Sequence, residues 1–320
     1  MKRQDWRARV RLESLVLCWT IAGAVGCAAV QSRATVGGDP VVVAAGDIAC
    51  RPTTVGAACA QMQTSNLVLR LTPDAVLVLG DTQYHEGQYR NFLKFYRPSW
   101  GRFKAISHPV VGDHEYNTPG AAGYFDYFNG VGNVTGPAGD RDKGYYSFDL
   151  GVWHLIALNS KCTEVGGCGV GSPQEQWLRS DLAAHASVCT LAYWHEPRFS
   201  SGEHGNSKIR QPFWQALYEH GADVVLGGDE HDYERFALQT PTGATDPVRG
   251  IREFVVGTGG YSLTHLGSAG RRRNSEMFDD QDFGVLKLTL HPTSYDWQFI
   301  SVTGAIVDSG TSSCHGSATN

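Results

Sequence analysis

The 320-residue chain can bury one large core or two smaller ones, and 42% apolar with 18% charged residues excludes disorder as the default. A net charge of −5 gives no electrostatic reason to expect nucleic acid as a partner.

The chain opens on Lys2, Arg3, Arg7, Arg9 and Arg11, and an apolar stretch runs from Leu15 to Val30. A basic segment before a short apolar one reads as an export signal. The run is too short and too rich in small residues for a spanning helix. Ala22-Gly23-Ala24 fits an ordinary cleavage site, whereas Ala24-Val25-Gly26-Cys27 fits a bacterial lipobox with Ala24 where Leu is usual. The first predicts a secreted or periplasmic protein. The second predicts a cell-surface lipoprotein, tied to a membrane only through a lipid on Cys27. Residues 1–34 are then leader and short linker, and 40–314 a single domain, because no low-complexity break or repeat follows the small, polar Gln31–Pro40 segment.

Beyond the leader lie Cys50, Cys59, Cys162, Cys168, Cys189 and Cys314, an even set suited to an oxidising compartment. Cys50 with Cys59, and Cys162 with Cys168, enclose short loops and are expected to pair locally, leaving Cys189 for Cys314. No C-x-x-C spacing supports a thiolate zinc site.

Along the chain, short apolar runs end abruptly in Gly and a carboxylate: Val41–Ala45 before Gly46-Asp47, and Ala75–Leu79 before Gly80-Asp81. Pro109–Val111 precedes Gly112-Asp113, Ala222–Leu226 precedes Gly227-Gly228-Asp229, and Leu191–Trp194 ends on His195 without a glycine. Such runs predict buried strands. Helices are predicted between them at Gln61–Leu71, Gly87–Tyr96, after Ser172-Pro173-Gln174-Glu175, and at Gln211–His220. Ser172 is the N-cap and Glu175 closes a capping box. Glu253–Val256, Gly284–Leu290 and Ser294–Val302 read as adjacent antiparallel strands. The alternation predicts a layered α/β fold, a β-rich sandwich flanked by helices, with ligands gathered at strand ends.

One Gly-Asp after a strand is an ordinary turn. Asp, Asp, Asp, His and Asp at successive strand ends, followed by His231, are not, because converging carboxylates repel unless cations neutralise them. Oxygen donors mixed with imidazole suit Mn, Fe, Zn or Mg. From about Val41 to Arg235 these blocks resemble the calcineurin-like metallophosphoesterases, and within them the purple acid phosphatases. The carriers are Gly46-Asp47, Gly80-Asp81-Thr82-Gln83-Tyr84, Gly112-Asp113-His114-Glu115, Tyr193-Trp194-His195 and Gly228-Asp229-Glu230-His231, continuing as Asp232-Tyr233-Glu234-Arg235.

The resemblance implies a four-layer sandwich, two central mixed β-sheets flanked by helices, and two metal ions. Asp47, Asp81, Tyr84 and His231 would hold the first, with Fe(III) favoured by the Tyr84 phenolate. Asp81 would bridge to a second, divalent ion (Mn, Zn, Fe or Mg) completed by Asp113, His195 and Asp229. Two such ions, roughly 3.5–4 Å apart, activate a water for in-line attack on phosphorus. His114 would protonate the leaving oxygen or steady the phosphoryl oxygens, with Glu115 holding its ring, and His204 is a second candidate acid or phosphate contact. Arg198 and Arg235 fit either substrate contact or structural ion pairing. His154, His185, His220 and His291 lie in strand or helix patterns and carry no expected partner or role. The aromatics Tyr116, Tyr124, Phe125, Tyr127 and Phe128 read as core.

Asp113 stands where the family usually has Asn and Asp229 where it has His, and Glu196 adds another acid near the mouth. The two added carboxylates bring five ligand charges against the five of Fe(III) plus a divalent ion, weakening the pull on a phosphate dianion. The implied activity is hydrolysis of a small phosphorylated substrate, a phosphomonoester first. A phosphodiesterase, or a partly degenerate metal-binding surface protein, are the alternatives. A disulfide-stapled ligand-binding module would explain the cysteines but not the ordered Asp/His blocks.

Overall fold

Among the described residues, thirteen strands pair into two mixed sheets, and those at their centres are the apolar, β-branched runs. The computed structural model describes residues 38–51, 59–266 and 270–316, so the leader, its two cleavage motifs and Cys27 lie outside the described residues. No helix among the described residues is long and apolar enough to cross a membrane.

The first sheet holds β1 (Val41–Ala45), β2 (Ala75–Leu79), β3 (Ser107–Val110), β11 (Gly284–Leu290), β12 (Ser294–Ser301) and β13 (Ile306–Ser313), in the order β13-β12-β11-β1-β2-β3. Its β1, β2 and β3 run parallel and the rest antiparallel. The second holds β4 (Tyr146–Leu150), β5 (Trp153–Ala157), β6 (Cys189–Tyr193), β7 (Val224–Gly227), β8 (Tyr233–Phe236), β9 (Arg252–Val256) and β10 (Ser275–Asp279), in the order β10-β8-β9-β7-β6-β5-β4. Strands β5, β6, β7 and β9 are parallel neighbours. The predicted adjacency of Glu253–Val256 with the two C-terminal strands is therefore corrected. That segment is β9, parallel to β7 in the other sheet, while β11 and β12 do pair antiparallel.

Alternation decides what each face buries. Leu155, Ala157, Leu191, Tyr193, Val224 and Leu226 join the core between the sheets. Their neighbours Ile156, Ala192, Trp194 and Val225 pack outward, against Leu178, Leu182, Phe213, Trp214 and Leu217 of the helices α4 (Pro173–Ala184) and α5 (Gln211–Glu219). Strands buried on both faces need apolar residues at every position, which is why these runs do not alternate. Each fully buried large side chain contributes about 1.5–3 kcal/mol. The opposite outer layer includes α1 (Gln61–Leu71), which buries Leu67 and Val68 and stops at Thr72 in the left-handed conformation, ahead of Pro73.

Two helix predictions need adjustment. The Gly87–Tyr96 segment begins helical only at α2 (Tyr89–Asn91) and continues as a π-helix over Phe92–Tyr96. Ser172 does cap α4, accepting from the Glu175 amide, but Glu175 turns to Gly171 N and Arg179 instead of closing the box on Ser172. A short α3 (Ala122–Asn129) buries Tyr124, Phe125, Tyr127 and Phe128, as the aromatic cluster suggested.

All three disulfides form as paired above: Cys50–Cys59, Cys162–Cys168 and Cys189–Cys314. The last joins the start of β6 in one sheet to the residue after β13 in the other.

Candidate metal centre

The parallel strands β1, β2, β3, β6 and β7 deliver Asp47, Asp81, Asp113, His195 and Asp229 just past their carboxyl ends, and His231 sits two residues before β8. Asp47, Asp81 and Asp229 adopt the left-handed conformation, with φ of 58°, 45° and 69°. Aspartate tolerates that region better than most residues, and such strain collects at functional sites. The preceding glycines make room. A β-carbon on Gly112 would lie 2.1 Å from Asp81 Oδ1, and one on Gly80 2.6 Å from His195 Nδ1.

All seven predicted ligands come together. In one half, the Tyr84 hydroxyl donates to Asp47 Oδ1 at 2.7 Å and lies 3.0 Å from His231 Nε2, which is 3.3 Å from the same Asp47 oxygen. In the other, His195 Nε2 lies 3.3 Å from Asp81 Oδ1, 3.4 Å from Asp113 Oδ1 and 3.5 Å from Asp229 Oδ1. His195 Nδ1 donates to the Leu79 carbonyl at 2.8 Å, which leaves Nε2 to face those carboxylates. Yet this fully buried nitrogen is aligned for a hydrogen bond with none of them. The arrangement suits one cation shared by four donor atoms better than one proton on a ring. The donor set, carboxylates, imidazole and a phenol, fits Fe, Mn or Zn.

The electrostatics ask for the same thing. Burial disfavours the Tyr84 phenolate, and Asp47 and Asp81 add to that, holding its pKa well above the ordinary value. A phenolate ligand here therefore needs a strong cation. Burial opposes charge on His195 too, but Asp81 and Asp113 outweigh it and raise its pKa well above normal. Burial, offset only in part by His195, lifts the Asp229 carboxyl to about 6. Asp113 is pushed upward by burial but held well below the usual range by His195, His114 and Lys161. The added acids thus have company that the charge count omitted. Lys161 favours the charged form of Asp113, and the buried Arg210 interacts with both Asp113 and Asp229. Glu196, expected as another free acid at the mouth, is ion-paired with Arg210 instead.

The two predicted acids lie on the rim. His114 Nε2 is 3.8 Å from Asp81 Oδ2, and its Nδ1 donates to the His85 carbonyl at 2.8 Å. Burial lowers its pKa, but Asp81, the His85 carbonyl and Asp113 prevail and raise it. His204 is two-thirds exposed, with Nδ1 3.7 Å from Asp229 Oδ2 and 3.4 Å from Glu230 Oε2. Both line a cavity of about 250 Å³ with Asp81, Tyr84, Asp229 and His231. A wider cleft of about 530 Å³, with Asn206, Lys208 and Arg210 on its wall, adjoins it.

Several roles differ from expectation. Glu115 does not hold the His114 ring; it is buried and accepts from Thr82 Oγ1, Gln83 N and Gly112 N, bracing the loops after β2 and β3. Arg198 and Arg235 are structural: Arg198 bonds Gln211 and the Pro241 carbonyl, and Arg235 pairs with Asp308 and Glu276. The supposedly partnerless histidines have partners: His154 and His185 meet Asp181, His291 meets Asp39 and Asp296, and His220 bonds the Ala216 carbonyl. The sequence pattern did not flag Tyr261, whose ring stacks on Tyr84 at 3.7 Å, or Ser262, whose hydroxyl meets His231 Nδ1 at 2.7 Å. A signal existed, since Gly257-Thr258-Gly259-Gly260 follows β9 just as the other glycines follow their strands.

The calcineurin-like phosphoesterase family model matches residues 41–233. Purple acid phosphatase 15 of Arabidopsis thaliana is 25% identical over 228 residues, covering 62% of this chain and 42% of its own length. The chain thus spans less than half of that relative. Among solved structures, the purple acid phosphatase PPD1 from yellow lupin (Lupinus luteus) seeds superposes with a TM-score of 0.64 at 21% identity, covering 86% of this chain and 53% of the lupin chain. GAP50, the anchor in the inner membrane complex of Plasmodium, superposes at 0.66 with 12% identity, covering 88% of this chain and 91% of its own.

Proposed function

As a member of the calcineurin-like phosphoesterase family, on its purple acid phosphatase-like branch, this chain carries, we propose, a dinuclear metal centre that hydrolyses phosphate esters, phosphomonoesters foremost. The observation that carries this reading is His195 Nε2, buried, unbonded and ringed by three carboxylate oxygens within 3.5 Å. Asp47, Asp81, Tyr84 and His231 would hold Fe(III), and Asp81, Asp113, His195 and Asp229 a divalent ion. Two such ions, when bound, supply an activated water and positive charge against the phosphoryl oxygens.

The rest is done by the chain's own residues. The Leu79 carbonyl and Ser262 fix the rings of His195 and His231, so neither reorganises when substrate arrives. Tyr261, stacked on Tyr84, shields the phenol side of the centre from solvent. With Nδ1 committed to the His85 carbonyl, His114 can gain or lose a proton only at Nε2, the atom facing the cavity, where it would protonate the departing alkoxide. His204, as an imidazolium across the cavity, would hold a phosphoryl oxygen. Lys208, on the wall of the wider cleft, adds a cation on the route in.

Metal analysis of purified protein with a phosphomonoester and phosphodiester panel tests the reading. Two metals per chain, one of them iron, and monoester turnover exceeding diester turnover are expected. Metal bound without any hydrolysis would favour the metal-binding surface protein, a role for which the fold itself is no obstacle. Export is part of the proposal: three disulfides and relatives among purple acid and acid phosphatases support it. Cell fractionation with mass analysis of the mature N-terminus would separate plain secretion from a lipid on Cys27.

A further inference from the structure

Behind the metal centre, Glu230, Asp232 and Glu234 all turn toward the loop 200–205 that carries His204, and all three are buried. The flanking pair are satisfied. Glu234 accepts from Ser201 N at 2.7 Å and from its hydroxyl, and Glu230 Oε1 accepts from the amides of His204 and Gly205 at 2.8 and 3.0 Å. Asp232, between them, is 0% exposed, and neither of its carboxylate oxygens has a hydrogen-bond partner. Its Oδ2 and Glu230 Oε2 converge on the open face of Gly202, where a β-carbon would stand 3.0 and 2.3 Å from them. Among the described residues, His204, 3.4 Å from Glu230 Oε2, is the one basic side chain within ion-pair distance of either acid.

A buried carboxylate with neither donor nor counter-ion is strongly unfavourable. A proton shared between Asp232 Oδ2 and Glu230 Oε2 would remove only one of the two charges and leave Asp232 Oδ1 unmatched. A small cation between the two oxygens relieves both acids. We propose that Glu230 and Asp232 hold a hard divalent cation of the calcium class, separate from the dinuclear centre. Two carboxylates suit calcium, which accepts irregular numbers of oxygen donors and completes its shell with water, whereas magnesium demands a near-octahedral set. The ion would cross-link the His204 loop to the segment that presents Asp229 and His231. Gly202 is then needed because any side chain would occupy the space between the acids.

The test is a calcium titration of the holoenzyme, loaded with its transition metals, by calorimetry and by thermal unfolding. One additional Ca²⁺ per chain is expected, with Kd in the range of roughly 10⁻⁴–10⁻³ M, together with a rise in Tm of several degrees at saturation. Asp232→Asn, isosteric and neutral, should abolish both while leaving iron and second-metal content unchanged. Glu230→Gln should weaken both, and stands in if Asp232→Asn does not fold. Wild-type protein that binds no calcium beyond its transition metals overturns the proposal, as does an Asp232→Asn protein that binds it undiminished. Transition-metal content and phosphatase activity of the same samples report separately on the dinuclear centre.

Discussion

Replacing His154 by Gln should destabilise the fold in a pH-dependent way. The ring is 1% exposed, with Nδ1 2.9 Å from Asp149 Oδ1 and Nε2 2.8 Å from Asp181 Oδ2, and it stacks on His185 at 4.4 Å. Burial alone would lower its pKa, but Asp181 and Asp149 overcome that and raise it above 6.5. Asp181, in turn, is driven up by burial yet held below 3.8 by His154 and Ser147. Breaking a buried pair costs about 3–5 kcal/mol. Asp149 is 41% exposed, so solvent screens its share. Discounting for that leaves about 2–4 kcal/mol, or roughly 5–10 °C in Tm. A group with a raised folded pKa stabilises fully below its unfolded value, here 6.5, and loses that contribution as pH climbs through the folded value. The Asp181 contribution is present above 3.8 and disappears as pH falls through its depressed value. The gap in Tm between wild type and His154→Gln should thus be widest in mildly acidic buffer and close at both ends. Scanning calorimetry across a pH series measures it. A gap that is the same at every pH would mean that the ring contributes packing and not charge.

The remaining predictions concern the metal centre and the staples. Tyr84→Phe should remove the visible phenolate-to-iron absorption from the purified protein, and a colourless wild type that is fully active on divalent ions alone would take iron out of the account. The double change Asp113→Asn with Asp229→His removes two formal negative charges beside His195. Phosphatase activity per enzyme should rise, the acid limb of its pH–rate profile should move to lower pH, and metal preference should shift toward Zn or Fe. An unchanged profile at unchanged metal occupancy would show that neither residue reaches the site. Cys189→Ser with Cys314→Ser opens a cross-link spanning 125 residues, so Tm should fall on the order of 10 °C; an unaltered Tm in non-reducing buffer would show that packing alone seals that edge.

Much of the centre was legible because its signal is local. A β-branched run ending in Gly-Asp can be read wherever it occurs, and Asp47, Asp81, Asp113 and Asp229 were found that way. Long-range pairing carries no such mark. β9 has the composition of any buried strand, and nothing within Arg252–Val256 says that it pairs with β7 and not β11. Partners chosen by a side chain's reach are hidden for the same reason. Glu115 could as well have braced His114 next to it as the loop after β2, and only the fold puts Thr82 and Gln83 within its grasp. His154 lies in an apolar run, whereas the acids it meets sit 5 positions before it and 27 after it in the chain.

The seven candidate ligands come from both sheets: Asp47, Asp81, Tyr84 and Asp113 follow strands of one, and His195, Asp229 and His231 lie beside strands of the other. Cys189 marks the far end of the same β6 strand whose near end presents His195. With the proposed metals bound, the sandwich would be fastened at opposite ends by two different chemistries, a sulfur bond and an ion. Between them the sheets act as a pair of levers. A core substitution that alters their spacing, such as trimming Leu191, which lies on β6 between Cys189 and His195 in the core between the sheets, would either strain the disulfide or spread the candidate ligands. Metal affinity would then become a gauge of how well the two sheets are packed.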